Sequence, residues 1–159
     1  MNVTRLLDIR KIKGISDYQF RPEITDVLFE DIEKIEIRKS KNTGKIRYLY
    51  IEDELLLTLR PTNGLFTLGF LAARKIIQHF PPPIMRVIVL SEISEFIKEG
   101  RNVFCKHVVD IDNDLRPMDE VIVVNQEDEI LAIGRVKIPV SYIKSFDRGV
   151  AIDVRKGID

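Results

Sequence analysis

The sequence contains no tryptophan and a single cysteine in 159 residues. One cysteine excludes a disulfide framework within the chain and a cysteine-based zinc site. It fits a reducing, cytoplasmic setting. There is no net charge, because 25 basic and 25 acidic side chains cancel. No global field therefore draws the chain to nucleic acid or to a membrane. No apolar run approaches the roughly 20 residues needed to span a bilayer. The start, MNVTRLLDIRK, is charged at once and lacks the apolar stretch of a signal peptide. Glutamine (three) and asparagine (six) are scarce beside abundant Lys, Glu and Arg, a weak thermophile signature. What the chain does have is 45% hydrophobic and 31% charged residues. That composition excludes disorder and supports one domain or two small ones.

The division is marked by Phe80-Pro81-Pro82-Pro83-Ile84. Three successive prolines can neither continue a helix nor sit inside a sheet. The reading is a first domain over 1–80, a stiff linker over 81–83 and a second domain over 84–159. The first 83 residues hold 14 basic and 11 acidic side chains, net +3, and the remainder 11 and 14, net −3.

In the first half, Arg10–Arg21 reads as irregular and polar. Pro22 opens a short helix through Ile24, Val27 and Leu28. Three strands follow: Lys34–Ser40, Ile46–Ile51 and Leu55–Arg60, separated by the turn Lys41-Asn42-Thr43-Gly44 and the bend Glu52-Asp53-Glu54. After Pro61-Thr62-Asn63-Gly64 a helix runs from about Gly69 to His79, with Ala73, Ile77 and Phe80 on one stripe and Ala72 and Ile76 beside it. The fold class is α+β, a three-stranded antiparallel sheet with helices.

The second half reads as many short strands with one or two short helices, a mostly-β pseudo-barrel. The strands are Met85–Leu90, Val103–Asp110, Glu120–Val124, Ile130–Ile138 and Gly149–Arg155. Ser91 is the expected cap of a helix whose buried stripe is Ile93, Phe96 and Ile97, and Gly100 ends it. Asn125–Glu129 is a hairpin loop, and Pro139 opens a second short helix. Gly134 inside a strand points to a bulge or a close backbone approach.

No catalytic constellation emerges. Asp17 is a lone loop carboxylate. Asp110-Ile111-Asp112-Asn113-Asp114 opens like a calcium loop, but the sixth position is Leu115 and the twelfth Val121, not glycine and glutamate. Cys105 and His107 share one side of a strand by period two, yet two ligands are not a zinc site. There is no phosphate-binding glycine loop and no nucleophile elbow. No cofactor and no metal are expected.

Several strings in order resemble a PUA domain: FIKEGRNVF, the RPMDEV turn, ILAIGR and RGVAIDVR. In the first half, IKGISDYQF, KNTGKIRYLY and LLLTLRPTNGLFTLGFLAARKI resemble the region preceding PUA in the archaeosine tRNA-guanine transglycosylase family. Archaeosine synthase carries a similar tail. The resemblance implies an archaeal RNA-binding module that grips tRNA near its acceptor end. The family's catalytic (β/α)₈ barrel needs roughly 250 residues, and none of it lies in this chain. The expectation is a non-catalytic, tRNA-binding subunit whose partner is a separate barrel subunit. The alternatives are an RNA-binding adaptor for another tRNA-modifying enzyme, such as archaeosine synthase, and a protein-interaction module without RNA affinity. No membrane partner is expected, and self-association stays open.

The candidate RNA-binding residues are Lys98, Gly100, Arg101, Asn102, Phe104, Lys106, Arg148, Gly149 and Arg155. Gly100 lets backbone approach a phosphate, Arg101 can pair with it, and Phe104 offers a plate for an unpaired base. The resemblance places this helix-to-strand corner and the last strand against RNA. In the first half, Arg38, Lys39, Lys41 and Lys45 surround one turn and can add phosphate contacts. Leu56, Tyr48 and Tyr50 are candidate apolar contacts for a partner subunit.

Overall fold

Residues 10–21, which read as irregular, lie mostly within a long helix, α1 (Val3–Gln19). The Asn2 side chain caps it by accepting the Arg5 N–H at 2.7 Å. Only Ile9, Ile12 and Ser16 are buried, at spacings of three and four. A helix polar over most of its surface carries almost no periodic signal; packing of that narrow stripe stabilises it. The computed structural model describes residues 2–159. They divide into two units, the first ending at Ile76 and the second beginning at Ile77, ahead of the proline run.

In the first unit, Arg21 (φ 105°) turns the chain into α2 (Pro22–Leu28), with proline at its first turn. The buried Thr25 hydroxyl donates to Ser16 of α1 at 2.7 Å. The sheet then forms from β1 (Ile35–Lys39), β2 (Ile46–Ile51), β3 (Glu54–Leu59) and β4 (Phe66–Leu68), antiparallel in the order β1-β2-β3-β4. It has four strands where three were expected. β4 escapes sequence reading because it is three residues long and buried throughout, so it shows no alternation. Gln19 of α1 secures it, donating to the Phe66 carbonyl at 2.8 Å and accepting the Phe66 N–H at 2.7 Å. α3 (Phe70–His79) follows and buries Ala72, Ala73 and Ile76.

The second unit comprises β5 (Arg86–Val89), α4 (Ser94–Lys98), β6 (Val103–Phe104), β7 (Val108–Ile111), β8 (Glu120–Val124), β9 (Ile130–Val136), α5 (Val140–Ser145) and β10 (Val150–Gly157). Its six-stranded sheet runs β6-β10-β9-β8-β5-β7, with β5 and β8 parallel and the other pairs antiparallel. The single strand expected over Val103–Asp110 is broken by a 3₁₀ turn at Cys105–His107. Its two halves lie at opposite edges of the sheet, which curls it into a near-barrel. Cys105 and His107 therefore do not share a strand face. β8 is buried at all five positions, as befits a strand covered on both sides. Gly134 of β9 lies where an added Cβ would stand 2.4 Å from the Asp153 carbonyl oxygen, and the β9–β10 register shifts between Val154 and Lys156.

Two local expectations are corrected. Ser91 does not cap α4: its hydroxyl bonds Glu127 at 2.6 Å and accepts the Gln126 N–H at 3.1 Å. Phe96 is not in the buried stripe, being 52% exposed. In the acidic run, Asp112 is buried and accepts the N–H groups of Met85 and Asp114 at 2.8 and 3.0 Å, so it closes a turn.

Arg86 is the largest wholly buried side chain. Its guanidinium pairs with Asp128 at 2.8 and 3.2 Å and donates to the carbonyls of Ile77, Phe80 and Ile84 at 3.1, 2.9 and 2.8 Å. Arg86→Met should destabilise the second unit by about 3 kcal/mol or more, because it strands three carbonyls and a carboxylate. Arg86→Lys should not restore the loss, since an ammonium lacks the planar fork. Urea unfolding of the full chain measures both.

Candidate nucleic-acid interface

The interface is built where α4 meets β6. α4 is barely more than one turn long and ends at Gly100, whose φ of +103° reverses the chain. The Gly100 N–H bonds the Ile97 carbonyl at 2.9 Å and the Arg101 N–H that of Phe96 at 3.3 Å. This helix end lies flat on β10. A Cβ on Gly157 would stand 2.0 Å from the Lys98 carbonyl oxygen and 2.7 Å from the Gly100 nitrogen. The Asn102 side chain accepts the Val154 N–H at 2.9 Å, and the Asp159 N–H bonds the Lys98 carbonyl at 3.2 Å. Gly157 is thus a site-shaping residue that sequence reading missed. Its only signal is a glycine near the end of a strand.

Beyond that crossing, a groove of about 190 Å³ opens between Ile93, Phe96, Ile97, Arg101, Asn102, Phe104 and His107. Phe104 is 44% exposed and meets the His107 ring edge-on at 6.4 Å between centroids. The Arg101 guanidinium stands 5.3 Å from the centre of the Phe96 ring. An exposed slot walled by two phenylalanines, with a guanidinium at its rim, is suited to stacking an unpaired base. Phe96 and His107 belong to this slot although neither was singled out for it. α4 is too short for a helical period to show that Phe96 faces outward.

The nine sequence candidates do not all gather here. Arg101, Asn102 and Phe104 line the groove, and Gly100 and Lys98 shape its helix end. Lys98 also stands 3.5 Å from Glu95. Gly149 (φ +91°) serves a neighbouring turn, its carbonyl accepting the Cys105 N–H at 2.9 Å, and Arg148 beside it is exposed. Lys106 faces a second groove, with Lys144, Phe146 and Asp147. Arg155 is committed elsewhere, its guanidinium bonding the buried Glu120 at 2.7 Å. In the first unit, Arg38 pairs with Glu36 and Asp53, and Lys39 with Asp8 at 2.9 Å. Leu56 is completely buried and offers no docking contact, whereas Tyr48 is exposed. Among the described residues no three His, Cys, Asp or Glu side chains cluster as metal ligands, and no helix is long and apolar enough to cross a membrane.

The near-barrel and its glycine-ended helix are those of the PUA class of RNA-binding domains, whose family model matches residues 85–158. Residues 10–83 match the patch-forming domain C2 of tRNA-guanine transglycosylase. It is similar to the C-terminal portion of tRNA-guanine(15) transglycosylase. The relative from Methanothermobacter thermautotrophicus is 38% identical over 154 residues, 97% of this chain and 23% of that protein. The one from Thermococcus onnurineus is 36% identical over 148 residues, 93% of this chain and 25% of its own length. The chain thus spans about a quarter of these relatives. Among solved structures, a hypothetical protein of Pyrococcus horikoshii superposes with a TM-score of 0.75 at 22% identity, covering 94% of this chain and 89% of its own. A PUA domain protein of Thermoplasma acidophilum gives 0.59 at 17%, covering 77% and 75%. Both likenesses concern the fold alone.

Cys105, in the second groove beside Lys106, is buried, and desolvation pushes its thiol above the ordinary value. The folded chain keeps this proton where the unfolded chain has lost it. The resulting stability is full below the ordinary thiol pKa of about 8.5 and falls as pH rises through it. Iodoacetamide should therefore label the native chain much more slowly than the urea-unfolded chain at pH 8. Equal rates would mean that the thiol is accessible.

Proposed function

We propose that this chain is the tRNA-holding, non-catalytic subunit of a split archaeosine tRNA-guanine transglycosylase in the cytoplasm. It grips tRNA and presents it for base exchange by a barrel carried on another polypeptide. The observation that carries this reading is the groove at the end of α4: two half-exposed phenylalanines, Arg101 at the rim and a backbone opened by Gly100. Its shape and apolarity suit an unpaired nucleotide at the 3′ end of tRNA. The acidic neighbours Glu92, Glu95 and Glu99 make it a poor general phosphate clamp. Discrimination then rests on stacking and on the geometry of the stem rather than on base sequence. The similarity to the C-terminal portion of tRNA-guanine(15) transglycosylases supports a role in tRNA modification.

Two variants test the docking surface. Arg101→Ala should weaken tRNA binding and lower the slope of log affinity against log salt by about one unit. Phe104→Ala should cost about 1–3 kcal/mol, the usual worth of one stacked base, and only with tRNA that keeps its unpaired 3′ end. Unchanged affinity in both variants would show that RNA docks elsewhere or not at all, and would favour a protein-interaction module. The subunit assignment is checked by affinity capture from an archaeal lysate followed by a guanine-exchange assay. Recovery of a barrel subunit with exchange activity supports it. Exchange by the isolated chain would overturn it.

A further inference from the structure

The first unit contains a second cleft, formed where α1 crosses the open end of the sheet. It has a volume of about 340 Å³ and is rimmed by the turns around Thr43 and Gly64. Four cations line it, Lys11 from α1, Lys45 and Arg47 from the start of β2, and Arg60 just after β3, with no carboxylate among the lining residues. Elsewhere in the first unit most basic groups are answered. Arg38 meets Glu36, Lys39 meets Asp8, and Arg74 meets Glu54. Asp8, one turn before Lys11 on α1, is thereby already engaged.

Arg47 is the informative member. It sits at a bulge of β2, where Tyr48 pairs with Arg38 and Ile46 with Lys39, and its guanidinium stands 5.8 Å from the centre of the Tyr48 ring. Its side chain lines the cleft with Lys11 and Ile15 of α1. Its Nε is buried and has no hydrogen-bond partner. Among the described residues, the side chains of Lys11, Lys45 and Arg60 make no ion pair or hydrogen bond either. A buried, charged donor without an acceptor is costly, and native proteins keep one chiefly where an unseen ion or ligand supplies the acceptor. The missing acceptor must be anionic, since four positive groups converge on one concavity.

We infer that this cleft takes a backbone phosphate of the bound RNA, with Arg47 as its inner contact and Lys11, Lys45 and Arg60 around it. The inference rests on the reading of the chain as a tRNA binder. It adds to that reading a phosphate anchor in the first unit, separate from the stacking groove of the second. The first unit supplies charge and the second supplies stacking, which explains how an electrically neutral chain holds a polyanion.

The test uses the full chain and one archaeal tRNA transcript at two salt concentrations. Arg47→Gln should weaken binding by about three- to tenfold and lower the salt slope by about one unit. Lys13→Gln, which removes the same charge from the exposed side of α1, should change neither. In parallel, inorganic phosphate titrated into the wild-type chain should shift the Arg47 Nε–H resonance in ¹⁵N NMR spectra. If Arg47→Gln binds tRNA with the wild-type slope while Arg101→Ala does not, the inference fails and the tRNA reading stands. A wild-type chain that binds no tRNA at low salt defeats both. Equal losses in Arg47→Gln and Lys13→Gln would show diffuse charge in place of a site, and would also overturn it.

Discussion

Arg86 places a full charge where water does not reach, and the second unit is arranged around answering it. Three main-chain carbonyls and Asp128 converge on one guanidinium at the first residue of β5. β5 is the strand that makes the only parallel pairing of the sheet and separates β7 from β8. Fixing its start sets where the chain enters the sheet, and so where α4 leaves it at the far end. A hydrophobic side chain of similar size would fill the space. It would not choose among positions, because burial is non-directional whereas five N–H donors in a plane are not.

From that entry the path to the groove is short. α4 has little more than one turn, too few backbone bonds to hold itself. It is held instead by lying on Gly157 and by the Asn102 bond to β10. The crossing leaves Phe96 and Phe104 outside and Ile97 and Val103 inside. Neighbouring residues of similar hydrophobicity thus divide between core and recognition surface. In the first unit, Arg47 lines a cleft while Tyr48, the next residue, faces solvent.

Much of the architecture was readable residue by residue. Turn chemistry located the hairpins at Lys41–Gly44 and Asn125–Glu129, alternation located β1, and short apolar runs between turns located β2, β3, β8 and β9. Unreadable elements share a cause: their conformation is set by distant partners. α1 is polar on most faces and rests on a three-residue stripe. β4 is too short to alternate and is held by Gln19. The strand over Val103–Asp110 carries no glycine or proline at its break, because the 3₁₀ turn at Cys105 follows from the two edges it must reach. In the candidate site, Gly100, Arg101 and Phe104 were legible as a local run. Phe96, His107 and Gly157 were not, since nothing near them in the chain records that they meet.

By itself the sequence determined that the first half is α+β and the second mostly β, and which family strings they carry. Those properties are written in local patterns: proline runs, alternation, turn residues and the order of short motifs. Only the tertiary structure decided which cations are free. Arg155 and Arg38 look as available as Arg101 and Arg47 when read along the chain. Ion pairing acts through space over a few ångströms, so Glu120 and Glu36 commit the first two while the second two face open clefts.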